Sequence, residues 1–133
     1  MTGYSRSNLA AYQSVAAHGG VAASDPHRLI LMLLDGAIER IASARGALAG
    51  GAVDAKNRLL HRAVAIVNEL RASLNMEQGG DLAANLGDLY DYCGRMLLKA
   101  NLENRTEPLD EVAKLLREIR GAWIQIAPKP QGP

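Results

Sequence analysis

The chain has no phenylalanine, one tryptophan and only four tyrosines in 133 residues, so aromatic stacking cannot dominate its core. It has one cysteine, Cys93, which excludes an internal disulfide and fits a reducing compartment. Neither sign of charge prevails: 15 Lys and Arg face 14 Asp and Glu, a formal net of +1. No field of that size favours nucleic acid or an anionic membrane. The longest uninterrupted apolar run, Leu29 to Leu34, falls far short of the roughly 20 residues a membrane span needs. The opening MTGYSRSNLAAYQS lacks the continuous apolar stretch of a signal peptide. These absences point to a single soluble cytoplasmic domain with no membrane insertion and no nucleic-acid partner.

What the chain does have is helix punctuation. Ser24-Asp25-Pro26 pairs a capping oxygen with proline at the first helical position, where its missing N–H costs nothing. The helix it starts reaches about Leu48 and stops at Gly50-Gly51, with Ile30, Leu33, Leu34, Ala37, Ile38, Ile41, Ala44 and Leu48 on one broad half. A second helix is expected from Val53 to Leu74, with Leu59, Leu60, Ala63, Ile66, Val67, Leu70 and Leu74 inward. Gly79-Gly80 breaks the chain and Asp81 caps a third, whose seam reads Leu82, Leu86, Leu89, Cys93, Met96 and Ala100. Glu107-Pro108 starts a fourth, with Leu109, Val112, Leu116, Ile119, Trp123 and Ile126 on the same alternation of three and four. That spacing predicts an all-α, antiparallel four-helix bundle over residues 24–127. Residues 1–23, interrupted by His18-Gly19-Gly20, read as a mobile N-terminal arm or short extra helix, and APKPQGP predicts a disordered tail over 128–133.

The residues of catalysis are scarce. No Glu is followed by His three positions later, and His18, His27 and His61 lie on three separate segments, so the di-metal pattern of helix bundles is missing. Cys93 stands mid-seam between Leu89 and Met96, where a small apolar residue belongs and a thiol is inert. Gly79-Gly80 follows no strand and is not succeeded by Gly-Lys-Ser/Thr, so it is no phosphate loop. The reading is a protein without enzymatic activity, catalytic residues, metal or cofactor.

Tyr90 and Tyr92 stand two positions apart, about 200° on a helix. Relative to the expected seam, Tyr90 lies about 80° to one side with Ala83, Leu97 and Asn101, and Tyr92 about 80° to the other with Asn85 and Met96. On the first helix Leu29 and Met32 fall outside the broad stripe. Apolar floors with Met, Tyr and Asn at their rims are what a helix-in-groove receptor presents. The alternative is that these are ordinary boundary residues, with Tyr90 and Leu34 in the core and Asn85 and Asn101 capping backbone.

A string of landmarks resembles the FliS family of flagellin export chaperones. It comprises Ala11-Tyr12, DPHRLILMLLDGA from Asp25 to Ala37, VDAK from Val53 to Lys56, LNMEQGGDLAANLGDLYDYC from Leu74 to Cys93, RMLLKANLEN from Arg95 to Asn104, and AWIQIAPK from Ala122 to Lys129. The chain departs from the family pattern at Asp25, usually Ser, at Leu34, usually aromatic, and at Cys93, often Met. The resemblance implies a chaperone that holds the disordered C-terminal segment of flagellin in the cytoplasm, prevents premature polymerisation and delivers it to the flagellar type III export gate. It also implies a client-binding groove, to which we assign Leu29, Met32, Leu34, Asn85, Tyr90, Tyr92, Met96 and Asn101. An autoinhibitory arm carrying Leu9, Tyr12 and Val15 would lie over that groove. A homodimer is permitted but not required. The heptads alone would equally allow a generic helical-bundle adaptor without a secretion role.

Overall fold

The computed structural model describes residues 25–126. Four helices follow one another: α1 (Pro26–Ala49), α2 (Val53–Ala72), α3 (Met76–Glu103) and α4 (Glu107–Gln125). Their connections, 50–52, 73–75 and 104–106, are three residues each, which leaves consecutive helices no choice but to run antiparallel. α1 packs on α2 and α4, and α3 packs on the same two, so the four stand at the corners of a square. The N-terminal arm, with Leu9, Tyr12 and Val15, and the tail lie outside the described residues.

The ends form for local reasons. The Asp25 carboxylate accepts the Arg28 N–H at 3.1 Å and Pro26 occupies the first turn. Gly51, at φ +74°, turns the chain into α2, which has no side-chain cap but carries Asp54 in its positively polarised first turn. Asn75 caps α3, its Oδ1 accepting the Gln78 N–H at 3.0 Å, and Asn104 closes it in the left-handed region at φ +54°.

The core draws on every helix: Leu34, Ala37, Ile41 and Ala44; Leu60, Ala63, Val67 and Leu70; Tyr90, Cys93, Leu97 and Ala100; Leu109, Val112 and Leu116. Several expectations are corrected. α2 ends at Ala72, short of Leu74, where the Ser73 hydroxyl donates to the Leu70 carbonyl at 2.7 Å and caps the last turn. At Gly79-Gly80 the expected break is present: Met76 to Gly79 form one helical turn, Gly80 leaves the helical path at φ +52°, ψ −130°, and the long part of α3 runs on from Asp81. The buried face of α3 is also not the expected one. It is Ala83, Gly87, Tyr90, Cys93, Gly94, Leu97 and Ala100, turned about 70° from the predicted seam, so Leu82 and Leu89 stay 64% and 37% exposed. Small residues line this face toward α2: a methyl built on Gly87 would meet Leu74 Cδ1 at 3.6 Å, ordinary van der Waals contact. On α4, Ile126 caps the helix with 52% exposure instead of extending the seam.

Candidate protein-docking surface

Cross-helix bonds orient the two flanks of α3. Arg71 of α2 pairs with Asp91 at 3.3 Å, fixing one flank toward α2. The Tyr92 hydroxyl donates to Glu111 Oε2 of α4 at 2.8 Å, fixing the other. That bond favours the protonated phenol and pushes the Tyr92 hydroxyl above its ordinary range. From Tyr92 the α4-facing flank continues through Asn85, Leu82, Leu89 and Met96. The matching flank of α4, reckoned from Glu111, carries Leu115, Glu118, Ala122 and Ile126. Leu82, Leu89 and Ile126 are exposed, and Leu86, Met96, Leu115 and Ile119 are half-buried, so an apolar strip runs along the α3–α4 edge with Tyr92 and Glu111 bridging it.

The groove residues expected from sequence do not assemble in one place. Asn85, Tyr92 and Met96 share the α3–α4 edge. Leu34 and Tyr90 are fully engaged in the core and present nothing to a partner. Leu29 is buried beside Ile30 and Leu33, apart from the main core, while Met32 is 41% exposed. Both lie on the flank of α1 that turns toward α2, as the approach of Gly36 to Ile66 Cδ1 shows, and so on the opposite edge of the square. Asn101 faces α2 near the foot of α3; its carbonyl accepts Lys56 Nζ at 3.2 Å and its side-chain Oδ1 is buried without a partner.

Two features escaped the sequence reading. Lys56 is buried, its ammonium held by the Asn101 carbonyl and by Asn104 Oδ1 at 2.5 Å, a cation placed at the negative end of α3. VDAK was legible as a landmark, but nothing in it told of burial. His27 and Trp123 form a reciprocal clasp: rings stacked 4.9 Å apart, His27 Nε2 donating to the Trp123 carbonyl at 2.8 Å and Trp123 Nε1 donating to the His27 carbonyl at 2.9 Å. The strip itself could have been found, because Leu82 and Leu86 alternate with Ala83 and Gly87, and the smaller pair was the one able to lie against a neighbour. A second hollow of about 500 Å³ lies between α2 and α3, lined by Asn68, Arg71, Leu74, Met76, Gly87 and Asp88 among others.

No group of three or more His, Cys, Asp or Glu among the described residues could hold a metal ion. Burial pushes the Cys93 thiol up to about 11, where the nucleophilic thiolate is not formed at neutral pH. None of the described helices is long and apolar enough to cross a membrane. The family model for flagellar protein FliS matches residues 8–130. The chain belongs to the FliS family. Among its relatives, the flagellar secretion chaperone FliS of Salmonella typhimurium is 45% identical over 127 residues, 95% of this chain and 94% of the relative. That of Vibrio cholerae is 40% identical over 124 residues, 93% of this chain and 91% of its own. FliSB of Pseudomonas aeruginosa is 41% identical over 124 residues, 93% and 98% of the two chains. Membership in FliS carries a chaperone role in flagellar export, and with it a non-enzymatic one.

Proposed function

We propose that this FliS chain is a cytoplasmic chaperone that binds the disordered C-terminal segment of flagellin, prevents its premature polymerisation and delivers it to the flagellar type III export apparatus. The apolar strip on the α3–α4 edge carries the reading. Leu82, Leu89 and Ile126 are large apolar side chains left in water by a bundle whose core is already complete. A self-assembling client segment with an apolar face finds there the contacts it would otherwise make with other copies of itself. Ordering the segment on binding costs several kcal/mol, so the complex stays reversible, as hand-off at an export gate demands. In this reading the segment bearing Leu9, Tyr12 and Val15 competes with the client for the same strip.

Isothermal titration with a flagellin C-terminal segment tests it. The full chain should form a stoichiometric complex with a negative heat-capacity change. Leu82→Ser combined with Leu89→Ser should weaken that complex about a hundredfold while lowering the unfolding midpoint only modestly, since Leu82 is 64% and Leu89 37% exposed and neither belongs to the core. Absence of heat with the wild-type chain at physiological salt would sink the proposal. Deleting residues 1–17 should raise the association rate; collapse of binding would make that segment part of the receptor.

A further inference from the structure

The strip is bordered unevenly in charge. On α4, Glu111 and Glu118 stand seven positions apart, two helical turns, and so project from one flank. On α3, Asp81 occupies the corresponding rim above Asn85 and Tyr92. Asp81 and Glu118 are exposed, and neither they nor Glu111 takes part in the ion pairs of the described residues, which join Arg45–Asp110, Arg71–Asp91, Arg95–Asp91, Arg105–Glu103, Arg105–Glu107 and Arg120–Asp35. Glu111 is instead fixed in place by the Tyr92 hydroxyl. The nearest cation of α4, Lys114, lies about 60° further round toward solvent, and Lys99 of α3 lies beyond Tyr92 toward the other end. Over the span from Leu82 to Tyr92 the rim is therefore acidic, although the chain as a whole carries a formal +1.

We infer that this strip selects a basic amphipathic helix: a client segment with an apolar stripe flanked by Lys or Arg that lie along Asp81, Glu111 and Glu118. The inference rests on the chaperone reading and specifies the chemistry of its client. Leu82 to Met96 spans about 21 Å of α3, which a four-turn helix with apolar side chains at i, i+3, i+4 and i+7 covers. Rim charges on such a surface govern encounter rate and the rejection of wrong partners more than final affinity. An acidic flank would meet three exposed carboxylates of like charge, a repulsion that salt screens. A basic flank would be steered in, and Glu111, held rigid by Tyr92, sets the register of its first cation. Leu89 and Ile126 alone would accept any apolar helix; the carboxylates give the strip a preference.

Two synthetic helical peptides of about 18 residues test this, with identical Leu stripes flanked by Lys in one and Glu in the other. They are titrated into the full-length chain at low and physiological salt beside a flagellin C-terminal segment. The Lys-flanked peptide should bind about tenfold more tightly at low salt, with the difference shrinking as salt rises. Asp81→Lys with Glu118→Lys should abolish or invert that preference. Glu39→Lys with Asp54→Lys, the same charge change away from the strip, should preserve it. The global charge of the chain would favour the acidic peptide, so a basic preference reports the local rim. Equal binding of the two peptides, or a preference that survives Asp81→Lys with Glu118→Lys, overturns the inference and leaves the chaperone reading intact if the flagellin segment still binds. Failure of the flagellin segment to bind the wild-type chain overturns that reading first, and this inference with it.

Discussion

The two flanks of α3 solve opposite problems with opposite residues. Toward α2 the helix presents Ala83, Gly87 and Gly94, all buried, and the two helices are tied by Arg71–Asp91 and by the Lys56 ammonium at the foot of α3. Toward α4 it presents Leu82, Leu86, Leu89 and Met96, larger and more apolar, yet exposed or half-buried. Burial here follows fit and not hydrophobicity. On α3, small residues line the side toward α2 and large ones stand on the exposed side toward α4.

Substitutions can break or sharpen that contrast. Tyr90→Ala removes a ring that is 4% exposed in the core and should cost about 3–5 kcal/mol of unfolding free energy in urea, whereas Tyr92→Ala on the opposite flank should cost under about 1 kcal/mol. Comparable losses at the two positions would erase the distinction. Lys56→Met keeps the aliphatic stem but strands the Asn101 carbonyl, and a loss of about 2 kcal/mol in the same measurement is expected. Gly94→Ala should instead stabilise the fold by about 0.5–1 kcal/mol. Its backbone is helical, and a methyl built there meets nothing within 4 Å. A destabilised Gly94→Ala protein would mean that α3 and α2 lie closer than their side chains require.

Much of this was legible. Asp25-Pro26 and Glu107-Pro108 announced their helices because capping and proline geometry act within a few residues, and Gly50-Gly51 marked its turn for the same reason. The face of α3 was not legible, because glycine and alanine contribute no hydrophobic period while Leu82, Leu86 and Leu89 contribute a strong one. Periodicity therefore nominated Leu82 and Leu89, which face outward, beside Cys93 and Ala100, which are core, and Leu86 and Met96, which pack half-buried against it. Trp123 was expected in the seam and is half-buried, held by His27 from the far end of the sequence, a pairing no local pattern encodes. Of the groove residues proposed from sequence, Asn85, Tyr92 and Met96 fall on one edge because helical spacing alone relates them. Leu29 and Met32 belong to another helix, and only the order of packing decides which edge they share.

The His27–Trp123 clasp has a topological consequence. It fastens the first turn of α1 to the last turn of α4, so positions 25 and 126 emerge at the same corner of the molecule. A short linker could join them and the chain could be reopened at Gly50-Gly51, giving a circular permutant of the same bundle. The order in which helices are synthesised would then be uncoupled from the architecture they build.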